Sequence, residues 1–220
     1  MTPEQLQLRR AVVCGSGLLY WTGVAIQARR IRLQIGRSPN VRPQGAKERL
    51  LWLGWALVII AWIGQPLVLR DTATKPGLSL LTILQNPVGL VIGLAMVTLG
   101  YAGTLWTYAA MGKNWRMGVN AKERTELVRA GPFQWVRHPI YLLQMVMLMG
   151  AALLLPTLIS FATLATHYVC VRLKARDEER YLENIHGPAY REYSSQTGSL
   201  FPRLLGRRAA ATIHQQRVDY

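Results

Sequence analysis

The stretch that decides the fold is residues 139–171, PIYLLQMVMLMGAALLLPTLISFATLATHYVCV, which holds no charge apart from a protonated His167. As one helix these 33 residues would be about 50 Å long, well beyond the roughly 30 Å hydrocarbon core of a bilayer. Pro156 lies near the middle, where proline interrupts a helix. The sequence therefore predicts two short membrane helices joined by a tight turn, Pro139–Leu155 and Thr157–Leu173.

Outside this stretch, three more segments are almost free of charge. They are Ala11–Ala28, Leu50–Leu69 and Pro76–Gly112. The last is too long for one span and is interrupted by Asn86-Pro87, so we place the span at Val88–Met111 and predict an interfacial or re-entrant piece at Leu78–Gln85. The sequence thus predicts an all-α, polytopic membrane helical bundle with about five transmembrane helices.

The distribution of basic residues predicts the orientation of this bundle. Of 26 Lys and Arg residues, 7 lie in the Arg29–Arg49 loop, 6 in the Lys113–Arg137 loop and 9 in the tail from Arg172. With five spans these segments share one side, which the positive-inside rule assigns to the cytoplasm, so the N-terminus is outside. The net charge of +15 is explained by membrane lipids, and we expect no nucleic-acid partner because no RNA- or DNA-binding motif appears.

The first chemical motif lies in Thr125–Tyr141, TELVRAGPFQWVRHPIY. Pro139 suits the first position of a helix, so Arg137 and His138 lie at a helix N-terminus at the cytoplasmic interface. Free N–H groups and the helix dipole make such an end an anion site, suited to a cofactor carboxylate, a phosphate or a substrate carboxylate. The alternative is that Arg137 extends to lipid headgroups.

The second motif is residues 175–193, ARDEERYLENIHGPAYREY, directly after the fifth span. Asp177, Glu178 and Glu179 cluster there, although the chain has only 11 acidic residues. One interpretation is a solvated helix face with ion pairs; the other is that a glutamate faces inward and binds a ribose or an amino group. Because the hairpin returns both helix ends to one side, His138 and Glu178 are predicted to be close in space.

Together the two motifs resemble the isoprenylcysteine carboxyl methyltransferase family and the phospholipid methyltransferases of membranes, over about the last 90 residues. The matching residues are Trp115, Gly131, Pro132, Arg137, His138, Pro139, Tyr141, Glu178, Glu179, Gly187, Tyr190, Tyr193, Phe201 and Pro202. The resemblance implies a cytosol-facing pocket for S-adenosylmethionine in the C-terminal half and a lipophilic methyl acceptor that arrives from the bilayer. It divides the chain into three N-terminal spans (1–112), a catalytic half (113–203) and a polar tail (204–220).

The resemblance also implies roles for individual residues. The predicted cofactor-binding residues are Gly131, Pro132, Phe133, His138, Pro139, Glu178, Glu179 and Tyr190. The predicted catalytic residues are Arg137, Glu178 and Tyr141, with Arg137 binding a carboxylate. We expect no metal.

Two departures from the family pattern bear on the acceptor: Leu143 replaces a glycine and His186 an aromatic residue, so both are expected to reshape the substrate tunnel. A sterol-type membrane reductase that uses a nicotinamide cofactor is a second interpretation, disfavoured because Ile140 replaces an asparagine and Gln144 an acid. A third is a non-catalytic membrane scaffold. The oligomeric state and the acceptor, whether prenylcysteine carboxylate, phospholipid amine or another lipophile, stay open.

Overall fold

The computed structural model describes residues 2–39, 45–69, 86–116 and 126–203. Across these ranges the protein is helical and contains no β-strand, as predicted. The six α-helices are α1 (Pro3–Ile35), α2 (Gly45–Val68), α3 (Pro87–Met111), α4 (Pro139–Leu154), α5 (Leu158–His186) and α6 (Pro188–Gln196). The predicted piece at Leu78–Gln85 and the tail 204–220 lie outside the described residues.

The predicted hairpin is confirmed, although its second helix is much longer than the predicted span. The α4 helix ends at Leu154, and Thr157 caps α5 by accepting a hydrogen bond from the backbone N–H of Ser160. The α5 helix continues to His186 rather than ending at Leu173, because no helix breaker occurs before Gly187-Pro188. The acidic motif therefore lies on the C-terminal part of α5 rather than on a separate element.

The protein is an integral membrane protein. Three helices, α1, α2 and α3, are long and apolar enough to cross a bilayer. The α4 helix is apolar but has only 16 residues, about 24 Å, which is shorter than the hydrocarbon core. The apolar half of α5 has a similar length.

Hydrogen bonds connect the helices at one end of the bundle, and salt bridges connect them at the other. At one end Arg9 donates to the carbonyl oxygens of Leu154 and Asn86, at 3.2 Å each, and Arg10 donates to that of Pro66 at 2.7 Å. The start of α1 thus lies beside the ends of α2 and α4. At the other end Lys47 pairs with Asp177 and Lys174 with Glu48, which join α2 to α5. The five long helices therefore alternate in direction.

The α3 and α4 helices pack with their backbones in close contact. A Cβ atom on Gly150 would lie 2.7 Å from the carbonyl oxygen of Gly93, and one on Gly93 would lie 2.9 Å from that of Gly150. Small residues permit this close approach. In a membrane, where the hydrophobic effect does not drive helices together, such close van der Waals packing stabilises their association. The contact holds α4, and the motif at its start, in a fixed position.

Candidate functional site

The chain enters α4 through a 3₁₀-helix at Gly131–Gln134. Gly131 has a φ of 61° and packs against α3, where a Cβ atom would lie 3.0 Å from that of Ala110. Tyr193 on α6 donates its hydroxyl to the carbonyl oxygen of Phe133 at 2.8 Å. These contacts place the loop between α3 and α6.

A short extended segment after α6 clamps the Arg-His-Pro motif. The backbone N–H groups of Arg137 and His138 donate to the carbonyl oxygens of Gly198 and Ser199 at 2.8 and 3.1 Å, and Gly198 donates back to Trp135. A side chain on Gly198 would collide with the backbone of Phe201. These backbone contacts were not predicted from the sequence, although Gly198-Ser199 indicates a turn before Phe201.

His138 lies between two glutamates, so the predicted proximity to Glu178 is confirmed. Its Nδ1 is 3.3 Å from Glu178 Oε2, and its Nε2 is 3.2 Å from Glu179 Oε1. Carboxylates only accept hydrogen bonds, so both contacts require an imidazolium with two N–H donors. Burial lowers the pKa of His138, but the hydrogen bonds and charges of both glutamates outweigh it and raise the pKa overall.

Glu179 also binds Arg137 in a salt bridge. Glu179 Oε1 accepts from Arg137 Nε at 3.1 Å and from Ser199 Oγ at 2.6 Å. Burial raises the pKa of Glu179, but hydrogen bonds from His138, Arg137 and Ser199 overcome it and hold the pKa at about 2. Arg137 donates further to the carbonyl oxygens of Ser194 and Thr197. Arg137 therefore binds an internal carboxylate and does not reach lipid headgroups.

Glu178 takes the position nearer the cavity. Its Oε1 accepts the hydroxyl of Tyr141 at 2.8 Å, and the Tyr141 ring stacks on His138 with a centroid distance of 5.6 Å and an interplanar angle of 14°. Tyr141, His138 and Glu178 thus form one rigid wall contributed by α4 and α5.

This wall faces a cavity of about 410 Å³, within the usual range for small-molecule sites. One end of the cavity is polar. It is formed by Arg116, Arg137, His138, Tyr141, Lys174 and Glu178. Apart from Glu48 and Gln144, the remaining wall is apolar and aromatic. It includes Tyr20, Trp21, Val24, Trp52, Trp55 and Ile59.

The structure divides the predicted site residues into two groups. Those that line the cavity are Phe133, Arg137, His138, Pro139, Tyr141 and Glu178. Gly131, Pro132, Glu179 and Tyr190 do not line it, and of these Glu179 binds Arg137 and His138 of the first group.

The two departures from the family pattern do not shape the cavity. The Leu143 side chain packs toward Gly103 of α3, where a Cβ atom would lie 2.6 Å from Leu143 Cδ2. His186 is the last residue of α5, and neither residue is part of the cavity wall. The structure therefore gives neither residue a part in the wall of this cavity, and their effect on a substrate tunnel stays a prediction.

Sequence reasoning missed the contribution of α1 and α2 to the site. Trp52 and Trp55 of α2 line the cavity, and Trp55 lies 6.4 Å from the Tyr141 ring. Lys174 is buried and binds Glu48 at 3.1 Å, so both charges lie at the cavity wall. Aromatic residues in membrane helices are common near interfaces, and for that reason their role could not be read from the sequence.

A family model and two curated relatives are similar to this chain. The phospholipid methyltransferase family model matches residues 88–189. Two curated relatives are the nickel-cobalt-cadmium resistance protein NccN of Alcaligenes xylosoxydans xylosoxydans, 29% identical over 122 residues, and the cobalt-zinc-cadmium resistance protein CzcN of Cupriavidus metallidurans, 27% identical over 128 residues. These alignments cover 55% and 58% of this chain and 56% and 55% of the relatives, so the chain spans about half the length of each.

The matched range contains α3, α4, α5 and the start of α6. It therefore includes the charged cluster, which consists of Arg137, His138, Glu178 and Glu179, and the close contact between Gly93 and Gly150. Residues 88–189 of this integral membrane protein thus match the phospholipid methyltransferase family, a family of membrane methyltransferases.

Proposed function

We propose that the protein transfers a methyl group from S-adenosylmethionine to a lipophilic acceptor. The observation that supports this best is the two-part cavity: a charged cluster on α4 and α5 at one end, and an aromatic wall from α1 and α2 at the other. Polar groups that converge at one end of an apolar cavity are typical of sites that orient a small molecule.

The residues at the polar end fit the cofactor. Glu178 offers carboxylate oxygens to hydroxyl or ammonium groups, and the buried Phe133 and Trp115 offer aromatic surface to a purine. Arg116 and Lys174 supply positive charge for a carboxylate. Glu179 is a positioning residue, because it holds Arg137 and His138 from behind.

When bound, S-adenosylmethionine supplies an activated methyl group on a sulfonium with a neutral leaving group. A carboxylate acceptor is already a nucleophile, so the residues of this chain need only orient it and exclude water. An amine acceptor must first lose a proton, and Glu178, a carboxylate at the polar end of the cavity, is placed to take it.

For the acceptor we propose first a prenylated cysteine carboxylate, because the aromatic wall suits an isoprenoid chain and the cavity holds Arg116 and Lys174. The name of the matching family favours a phospholipid amine as the second candidate. Assays with both acceptors and radiolabelled S-adenosylmethionine separate the two.

The relatives NccN and CzcN are named for metal resistance. Within residues 2–39, 45–69, 86–116 and 126–203, no group of three His, Cys, Asp or Glu side chains could hold a metal ion. We therefore base the proposal on the methyltransferase family and the cavity.

We further propose five spans, with the N-terminus outside and the C-terminal pocket facing the cytosol. The alternating helices and the basic loops at one end of the bundle support this arrangement. Reporter fusions at the N-terminus and after residue 203 test it: both termini on one side of the membrane would contradict an odd number of spans.

The decisive test of the cofactor is calorimetric titration of the purified protein with S-adenosylmethionine. We expect binding in the wild type, loss of binding in His138→Ala and unchanged binding in His186→Ala, a matched control outside the cavity. Absence of binding in a folded wild-type sample, together with a thermal shift by the phosphorylated nicotinamide dinucleotide, would favour a reductase instead.

A further inference from the structure

Gln144 is a buried polar residue in the cavity wall that the charged cluster does not use. It is 4% exposed and lines the cavity, and its amide nitrogen has no hydrogen-bond partner. A buried donor without a partner destabilises the fold, so such a group on a residue that lines a cavity indicates a partner that arrives with a ligand.

The position of Gln144 separates it from the cofactor end. It lies three residues after Tyr141, about 4.5 Å further along α4 toward the membrane interior. Apolar side chains such as Val24 and Ile59 form the cavity wall along with it. Among the described residues that line the cavity it is the only side-chain amide. Gln144 is therefore placed between the charged cluster and the space suited to a lipophilic tail.

We propose that Gln144 is an acceptor-specificity residue that donates a hydrogen bond to an acyl oxygen of the methyl acceptor. This inference rests on the proposed function and names the chemistry that the acceptor must carry.

The unpaired atom decides the chemistry of the ligand group. An N–H donor requires an acceptor oxygen, and an ammonium group offers none. Carboxylate and ester carbonyl oxygens are strong acceptors that bring no second donor needing a partner. Two lipid sources carry such an oxygen: the carboxylate of a prenylated cysteine and the glycerol ester of a phospholipid.

The test compares Gln144→Met with the wild type, using N-acetyl-S-farnesylcysteine and dioleoylphosphatidylethanolamine as acceptors. Methionine keeps the length of the side chain but cannot donate. We expect KM for the methylated acceptor to rise about 5- to 100-fold, with the affinity for S-adenosylhomocysteine unchanged. The acceptor that shows this KM effect identifies the source of the acyl oxygen.

Thermal stability gives a second readout that a merely structural role would not produce. Gln144→Met removes an unpaired donor, so its melting temperature should equal or exceed that of the wild type. The matched control is Gln65→Met: Gln65 is similarly buried but bonds Ser160 at 3.0 Å, far from the charged cluster. This control should lose stability and keep the KM of the acceptor.

Three results would overturn the assignment. They are an unchanged KM in Gln144→Met, a weakened affinity for S-adenosylhomocysteine in that variant, and methylation of neither acceptor by a wild-type protein that binds S-adenosylhomocysteine. Failure of the wild type to bind S-adenosylhomocysteine would instead refute the proposed function itself, so the two failures are distinguishable.

Discussion

The same substitution at the two adjacent glutamates of α5 should affect two different properties of the protein. Glu179 lies behind His138 and binds Arg137, His138 and Ser199, whereas Glu178 lies at the cavity wall and binds His138 and Tyr141. We predict that Glu179→Gln loses stability and that Glu178→Gln loses affinity for the cofactor. Glutamine keeps the volume of the side chain, removes its charge and replaces one acceptor oxygen with an NH2 donor, and because both variants share this change, each is the control for the other.

The magnitude for Glu179 follows from its pKa. Lowering from 4.5 to about 2 corresponds to about 3 kcal/mol of stability at neutral pH. For a chain of this size, 3 kcal/mol lowers the melting temperature by roughly 6–12 °C. A lowered pKa stabilises the protein above the unfolded value, and the contribution is lost as pH falls from 4.5 toward 2. Glu179→Gln should therefore also show a weaker loss of stability in acid.

The assay is thermal unfolding in detergent between pH 7 and pH 3, together with calorimetric titration of S-adenosylhomocysteine. We expect Glu178→Gln to melt within about 3 °C of the wild type and to bind the nucleoside at least about 10-fold more weakly, since a charged hydrogen bond contributes about 1.5–3 kcal/mol. An unchanged melting temperature in Glu179→Gln would refute the role of Glu179 in holding Arg137 and His138. Unchanged affinity in Glu178→Gln would refute the placement of the cofactor.

Three further predictions concern the scaffold and the histidine. Gly150→Ala should lose about 1–3 kcal/mol, because its Cβ would meet the α3 backbone, whereas Gly64→Ala, with nothing within 4 Å, should be neutral or stabilising in the same unfolding assay. Arg9→Met should lose about 1–3 kcal/mol by leaving the buried carbonyl group of Leu154 without its hydrogen bond from Arg9, and the exposed Arg30→Met should not; equal melting temperatures would contradict this. The raised pKa of His138 stabilises the protein fully below pH 6.5 and less as pH rises through the folded value, so an alkaline titration of the melting temperature should fall more steeply in wild type than in His138→Gln.

The membrane class and the hairpin could be predicted because each depends on local chemistry. A 33-residue apolar run with a central proline has few alternatives to two helices and a turn. The proximity of His138 to Glu178 follows from the same hairpin, since antiparallel helices return their ends to one side. These features need no knowledge of which side chains face each other.

The division of labour between the two glutamates could not be predicted. Glu178 and Glu179 are adjacent on a helix, so their side chains point about 100° apart, and only the position of α4 decides which one meets the cavity. The clamp at Gly198 likewise depends on where α6 ends. The close approach of α3 also decides that Leu143 packs toward Gly103.

By itself the sequence determined a basic, helical membrane protein with an Arg-His-Pro motif beside a Glu-Glu pair, because hydropathy, proline and charge act over a few residues. The tertiary structure alone decided that α1 and α2 supply the aromatic wall and that Gln144, whose buried amide nitrogen has no hydrogen-bond partner, lines the cavity. Such features arise from packing between helices distant in the chain, where no local periodicity records which face is turned inward.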